Sequence, residues 1–240
     1  MDALRRDGFV ATLTLAGPLD ANAVRILSDA CAAVASEAEV RALVVEAAPE
    51  VWGGWSEALI PDLASAGLVG DPFSALATLP QPSIAVVRGE VLDAGLELAL
   101  CADVRISDRG ARFGLPAVSD GRFPVAGGLQ RLSRAIGRSR ATQLLLSGPI
   151  DAGTARDWGL VTEIGDAPAS LAREMAGRIA ERGPIATRLA KEAVQRGAEM
   201  PLEQALRYET DLTILLQSTD DRAEGVRAFV EKRPPSFRGR

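Results

Sequence analysis

The 240-residue sequence predicts an α/β protein with mostly parallel strands, followed by a smaller region made only of helices. Segments with the alternating or β-branched composition of strands are separated by longer segments whose apolar residues recur at helical spacing. Chains in which strands alternate with helices in this way form mostly parallel sheets. After residue 184 no segment has the pattern of a strand. The end of the chain is therefore predicted to be helical.

These patterns assign most of the chain in order. They predict strands over residues 9–15, 40–46, 83–87, 103–107, 111–113 and 160–163. They predict helices over residues 21–38, 127–136, 138–146, 151–158 and 169–182, and three more that begin near Pro184, Pro201 and Ser218-Thr219. The glycine-rich stretches 47–57 and 114–128 are predicted to be loops.

We expect two regions, a core over residues 1–183 and a helical region over residues 184–240. A helical tail after an α/β core packs on that core or on a neighbouring subunit. Burial in one of these contacts is expected for the apolar residues Leu206, Leu212, Leu215, Leu216, Val226 and Phe229.

The absence of histidine restricts the chemistry more than any other feature of the composition. It excludes Ser-His-Asp and Cys-His hydrolases, histidine-ligated zinc and imidazole general bases. Proton transfer must therefore use carboxylates, lysine, water or the single tyrosine, Tyr208.

Charge and cysteine content limit the partners and the cellular compartment that we expect. The net charge of −5 and the scattered arginines provide no basic field for nucleic acid, so no such partner is expected. Cys31 and Cys101 have no metal-ligand spacing and are predicted to be buried free thiols, which suits a reducing compartment. No apolar stretch reaches the roughly 18 residues of a membrane span. We therefore expect a cytoplasmic protein with no metal site and no membrane contact.

The stretch from Ser83 to Asp103 reads as a strand, a turn and a helix start. Backbone N–H groups at a helix start have no intrahelical partner and carry partial positive charge. They can therefore bind an anion or stabilise an oxygen that becomes one.

At this stretch and at four other places the chain resembles the crotonase superfamily, the enoyl-CoA hydratase/isomerase group. The similar segments occur in the family's order and span nearly the whole chain: residues 20–23, 82–89, 95–103, 124–132, 158–161 and 224–235.

The resemblance implies a spiral of β-α-β turns with a C-terminal helical trimerisation region, assembled as a homotrimer or a dimer of trimers. It implies an acyl-CoA thioester as the ligand; coenzyme A enters as part of that substrate, and no separate cofactor is expected. In the family, two backbone N–H groups form an oxyanion hole for the thioester carbonyl, and these map onto Trp55 and Ala94.

Glu97 matches one of the two glutamates that hydratases of the family use to activate water. An acid in the first turn of a helix is also favoured by the helix dipole, so a structural role competes with the catalytic one. The second family glutamate is missing, because Ala117 occupies its position. A methyl group cannot transfer a proton.

Asp93 departs from the usual glycine run and has two interpretations. As a helix N-cap its carboxylate would accept from the N–H of Gly95 or Leu96, which we favour because aspartate is common at that position. As a catalytic acid it would lie beside the thioester, although its charge would oppose a developing oxyanion.

Other residues could contribute to the site. Asp120 is a candidate substitute acid and Ser119 could hold a water, although aspartate before Gly121 is also typical of a turn. Trp52, Gly54 and Ser56 belong to the predicted substrate-binding loop. The large indoles of Trp52 and Trp55 would narrow the acyl pocket or serve only for packing.

Three functional hypotheses follow. The first is a lyase or isomerase of the crotonase type, with Glu97 as the remaining acid/base. The second is an acyl-CoA-binding homologue with little or no hydratase activity, because position 117 is alanine. The third is a crotonase-type isomerase, decarboxylase or thioesterase that uses Asp120 or Asp93.

Overall fold

Nine strands, in two sheets, form the frame of the protein in the computed structural model, which describes residues 3–53 and 71–240. The strands are β1 (Leu4–Asp7), β2 (Val10–Leu15), β3 (Ala42–Ala47), β4 (Ser83–Val87), β5 (Glu90–Leu92), β6 (Val104–Ser107), β7 (Arg112–Gly114), β8 (Ile150–Asp151) and β9 (Glu163–Ile164). The larger sheet has the order β1-β2-β3-β4-β6-β9 and the smaller one the order β5-β7-β8. Pairing is parallel except for β1 with β2 and β7 with β8.

Helices cover both faces of the larger sheet and form the end of the chain. They are α1 (Ala21–Ser36), α2 (Pro49–Trp52), α3 (Ser74–Ala77), α4 (Ala94–Ala99), α5 (Gly128–Ile136), α6 (Arg138–Ser147), α7 (Ala152–Asp157), α8 (Pro168–Ala180), α9 (Pro184–Gly197), α10 (Leu202–Gln217) and α11 (Asp220–Glu231).

The two faces of the sheet have separate apolar cores. Alternation along β3 directs Leu43 and Val45 towards the core that contains α1, and Ala42 and Val44 towards the core under α8. Strand β4 is buried over its whole length. Burial on both faces explains why β3 and β4 are continuous apolar runs, as parallel strands between helices usually are.

The predicted α/β class, the dominance of parallel pairing and the helical end of the chain are confirmed. Helix α11 begins as expected, because the hydroxyl of Thr219 accepts a hydrogen bond from the Arg222 N–H at 3.2 Å. The division at residue 183 stays a prediction. Both cysteines are buried free thiols.

Several boundaries were predicted wrongly. The stretch 47–57 was expected to be a loop, but Pro49–Trp52 forms one helical turn, for which a proline at the first position is well suited. The turn before α4 contains the short strand β5, which pairs with β7. The strand expected at 160–163 lies at Glu163–Ile164 instead. Strand β1 was not predicted, because its residues are charged and exposed.

The C-terminal helices are attached to the core through a partly buried ion pair. The Lys191 ammonium group on α9 lies 2.6 Å from the carboxylate of Asp103 and donates to the carbonyl of Gln81. Of the apolar residues expected to be buried, Leu212 is buried within this chain, whereas Leu206, Leu215, Val226 and Phe229 are exposed. Those four are therefore not buried within this chain, and their burial against a neighbouring subunit stays a prediction.

In the part of the chain that the structure describes, no helix is both long enough and apolar enough to cross a membrane.

Candidate active site

The site is built around α4, a helix of six residues that are all buried. It follows β5 directly, and its first turn lies against the end of α2. A Cβ atom on Gly95 would come within 2.1 Å of the Trp52 carbonyl oxygen, so only glycine permits this approach. The close contact brings the backbone after β3 next to the start of α4.

Glu97 lies on this helix with its carboxylate entirely enclosed. Its Oε1 atom accepts hydrogen bonds from the N–H groups of Ala126, at 2.7 Å, and Gly128, at 2.9 Å. Its Oε2 atom is buried and has no hydrogen-bond partner among the described residues. One oxygen is therefore fixed by the backbone, while the other has no donor in the part of the chain that the structure describes.

Burial raises the pKa of the Glu97 carboxyl above its ordinary value, and the nearby Asp93 charge raises the pKa further. The backbone N–H groups of Gly128, Ala126 and Val125 lower the pKa without cancelling the effect of burial. A carboxyl with a raised pKa is suited to both giving and taking a proton near neutral pH.

Asp93 does not cap α4 through its side chain, so the favoured helix-cap interpretation is wrong. Its Oδ1 atom instead accepts from the N–H of Ala117, 24 residues further along the chain, at 3.0 Å. The residue has φ 41° and ψ −117°, a conformation that favours glycine and is strained for any other residue. Strain at this position explains why the carboxylate turns away from Gly95 and Leu96.

The side chain of Asp93 is also largely buried, at 8% exposure. Burial raises the pKa of its carboxyl, while the Ala117 N–H and the charge of Arg122 lower the pKa and Asp120 raises it. Burial therefore raises the pKa of both the Asp93 and the Glu97 carboxyl.

Ala117 lies in a single 3-10 turn, Pro116–Val118, and is buried. This is the position onto which the resemblance maps the second glutamate of the family. Ser119 and Asp120 follow it on the exposed side of the loop, and the Asp120 carboxylate pairs with Arg122 at 3.1 Å. The two candidates from this loop therefore lie on its surface, whereas Asp93 and Glu97 are enclosed.

Ala94 begins α4 and is fully buried. The positive φ falls on Asp93 rather than on Ala94, so an alanine is accommodated where the family usually has glycine. Trp52 is also fully buried and packs in the main core. Gly54, Trp55 and Ser56 lie outside the described residues.

The sequence did not indicate what holds Glu97 in place. A Cβ atom on Gly128 would come within 2.6 Å of Glu97 Cγ, so this glycine makes room for the side chain. Arg131 donates to the Ala126 carbonyl at 2.9 Å and pairs with Asp71 at 2.6 Å. It thereby fixes the peptide segment that binds Glu97. The adjacent glycines Gly127 and Gly128 were the feature of the sequence that could have indicated this packing around Glu97.

An open groove of about 1300 Å³ lies elsewhere, beside β2, α8 and the last residues of the chain. Phe9, Arg41 and Phe237 line it, and none of the predicted site residues does. The groove and the enclosed carboxylates are therefore separate features of the structure.

Comparison with known proteins agrees with this fold. The family described as Enoyl-CoA hydratase/isomerase matches residues 8–240. The 2,3-dehydroadipyl-CoA hydratase of Escherichia coli is 42% identical over 171 residues, which cover 70% of this chain and 67% of that protein. A Mycobacterium leprae protein named probable enoyl-CoA hydratase is 36% identical over 253 residues, covering 98% of both chains.

A solved structure of similar shape is the enoyl-CoA hydratase of Bacillus anthracis. It has a TM-score of 0.89 and 30% identity, and the match covers 99% of this chain and 98% of that one. The family match and this similarity extend over the α/β core and the C-terminal helices alike. The chain therefore belongs to the enoyl-CoA hydratase/isomerase family of the crotonase superfamily and is an acyl-CoA enzyme of that family.

Proposed function

We propose that the protein converts α,β-unsaturated acyl-CoA thioesters through an enolate-like intermediate, with Glu97 as the acid/base. The observation that carries this proposal is the state of the Glu97 carboxyl. It is enclosed, held through Oε1 by two N–H groups, and without a partner at Oε2 among the described residues. A structural helix-turn acid would be solvated or fully paired.

The oxyanion hole would use the N–H of Ala94 together with that of Trp55. Ala94 lies three residues before Glu97, in a helix start from which side chains exclude water. Two N–H groups aimed at the thioester oxygen stabilise the negative charge that develops there, and one such donor is worth about 10² to 10³ in rate. No coenzyme other than the substrate's own coenzyme A is needed for this chemistry.

A second candidate function is acyl-CoA binding with little turnover. It is favoured by Ala117, because hydration in the family uses two glutamates and this chain has a buried methyl group in place of one. A positioned general acid or base contributes about 10² to 10⁴ in rate, so its loss alone would make hydration slow.

Hydration of crotonyl-CoA, followed as the loss of conjugated thioester absorbance, tests the proposal. We expect turnover by the unaltered protein and a loss of at least about 10²-fold in kcat for Glu97→Gln. Glu174→Gln, an exposed change on α8, is the control and should leave kcat unchanged. Calorimetric binding in parallel separates the two functions. Tight binding without turnover on several chain lengths would contradict the enzymatic proposal and support the second.

We also propose that the protein is a homotrimer or a dimer of trimers in the cytoplasm. Large apolar side chains exposed on α10 and α11 support the assembly, among them Ile214 at 63% and Phe229 at 84% exposure. Two buried free thiols are compatible with a reducing compartment.

A further inference from the structure

One loop holds two buried carboxylates. The N–H of Ala117, near its beginning, donates to Asp93 Oδ1, and the N–H groups of Ala126 and Gly128, near its end, donate to Glu97 Oε1. In each carboxylate one oxygen is fixed by the backbone. Within the described residues Glu97 Oε2 is buried and accepts no hydrogen bond.

The backbone of one turn joins these two residues. The Glu97 N–H donates to the Asp93 carbonyl at 2.9 Å, so the first turn of α4 starts from Asp93. The charge of Asp93 also raises the pKa of the Glu97 carboxyl. Burying two like charges near one another is unfavourable unless a proton is retained between them.

The backbone at Asp93 indicates that the carboxylate has a purpose other than stability. Its φ of 41° is a conformation for glycine, and its side chain gives α4 no cap. Glycine would remove both the strain and the buried charge. Strained, unfavourable groups of this kind concentrate at functional sites.

We propose that Asp93 is the second carboxylate of the site, so that Asp93 and Glu97 together provide the acid and the base of the reaction that Ala117 cannot provide. This inference rests on the proposed function. In hydration, water oxygen bonds to the β carbon while one carboxylate takes a proton from the water. The π electrons move to the thioester oxygen, and the enolate then takes the proton of the other carboxyl at the α carbon. The pair begins and ends with one proton.

The groups that face the pair are few in the described structure. Arg122 and Asp120, on the loop, act on Asp93, whereas Arg131 on α5 and Cys101 after α4 lie near Glu97. The exposed ion pair between Arg122 and Asp120 largely compensates itself. Burial is the main cause of the raised pKa of both carboxyls, and the charge of Asp93 adds to it at Glu97.

The central test is Asp93→Asn, because the Asn side-chain oxygen still accepts the Ala117 N–H while the amide cannot transfer a proton. We expect kcat for crotonyl-CoA hydration to fall by about 10²-fold or more, with KM changed less than threefold. Asp93→Gly should also lose activity while raising the melting temperature. A kcat within twofold of the unaltered protein in Asp93→Asn would overturn the inference and leave the role of Glu97 intact.

A second test moves the second carboxylate from position 93 to position 117. Ala117→Glu alone would crowd a third carboxylate against Asp93 and should gain nothing, whereas the double variant Asp93→Gly/Ala117→Glu should recover at least tenfold of the activity lost in Asp93→Gly. If the activity of Ala117→Glu alone equals or exceeds that of the double variant, the pairing of Asp93 with Glu97 is contradicted.

A third measurement does not depend on turnover. Infrared spectroscopy of the unaltered protein at neutral pH should show a protonated carboxyl band that shifts or disappears in both Asp93→Asn and Glu97→Gln. If the protein binds acyl-CoA without turnover but shows this shared band, the proposed function fails and the carboxylate pair stands. A band that is unaffected by Asp93→Asn would refute the pair.

Discussion

One carboxylate oxygen of Glu97 is enclosed, and no donor among the described residues contacts it. This unfavourable burial accompanies the readiness of Glu97 to exchange a proton. Because its pKa is raised in the folded state, the native protein binds a proton there more tightly than the unfolded chain does. The carboxyl therefore contributes most to stability in its protonated form. That contribution declines as the pH rises from the ordinary glutamate value of 4.5 towards the folded pKa.

This sign leads to a pH prediction. Between about pH 4.5 and neutrality, the free energy of unfolding of the unaltered protein should fall relative to that of Glu97→Gln as the pH increases. Urea unfolding at several pH values measures the difference between the two proteins. A difference that is constant with pH, or that moves in the opposite direction, would mean that the Glu97 pKa is not raised.

Gly128 gives a second test at the scale of single residues. Its missing Cβ leaves room for Glu97, so Gly128→Ala should displace the carboxylate and lower kcat by about tenfold or more, since small misplacements in a site are costly. Gly177→Ala on α8 is the matched control, because nothing lies within 4 Å of the added methyl group. It should keep full activity and gain about 0.5 to 1 kcal/mol of stability. Equal kinetics in the two variants would contradict a packing role for Gly128.

Among the elements, those with strong apolar periodicity were predictable and those set by tertiary contact were not. Helix α1 and strands β3 and β4 lie where their apolar patterns predicted them, because the apolar residues of these patterns are buried. Strands β5 and β8 are too short and too polar for a pattern, since pairing with β7 is what defines them. The hydrogen bond from Ala117 to Asp93 joins residues that only the fold brings together. Local rules therefore predicted a helix cap instead.

Asp103, the residue before β6, forms an ion pair with Lys191 on α9. This connection between two elements can be tested. Lys191 has only 8% side-chain exposure, so Lys191→Met leaves Asp103 without its cation and should cost about 3 kcal/mol in the free energy of unfolding. Arg178→Ala removes an exposed pair on α8 and should cost less than about 0.5 kcal/mol. Denaturant unfolding of both variants measures the contrast. A similar small cost for each would show that the C-terminal helices are held mainly by apolar contacts.

For the whole molecule, the resemblance to a family carried more information than composition did. Composition excluded histidine chemistry and a nucleic-acid surface, while the order of similar segments indicated the fold and the acyl-CoA ligand. The resemblance also implied a helical trimerisation region, and several apolar residues of that region are exposed in the single chain. Their burial against a neighbouring subunit stays a prediction.

Assembly can be tested at the most exposed of these positions. Phe229→Asp places a charge at a side chain with 84% exposure and should convert a trimer or hexamer into monomers in analytical ultracentrifugation. Phe229→Leu keeps the position apolar and should remain assembled. If the unaltered protein already sediments as a monomer, the proposed assembly is wrong.

The lack of imidazole also determines how this protein can be observed. Burial raises the pKa of the Cys31 thiol to about 11 and that of the Cys101 thiol to about 12, so neither thiol titrates near neutrality. Apart from the terminal amine, ordinary side chains leave the interval from about pH 6 to pH 9 empty. A carboxyl absorption band that changes with pH in that interval would therefore report on a carboxyl whose pKa burial has displaced, and the protein would serve as its own indicator of where its catalytic proton resides.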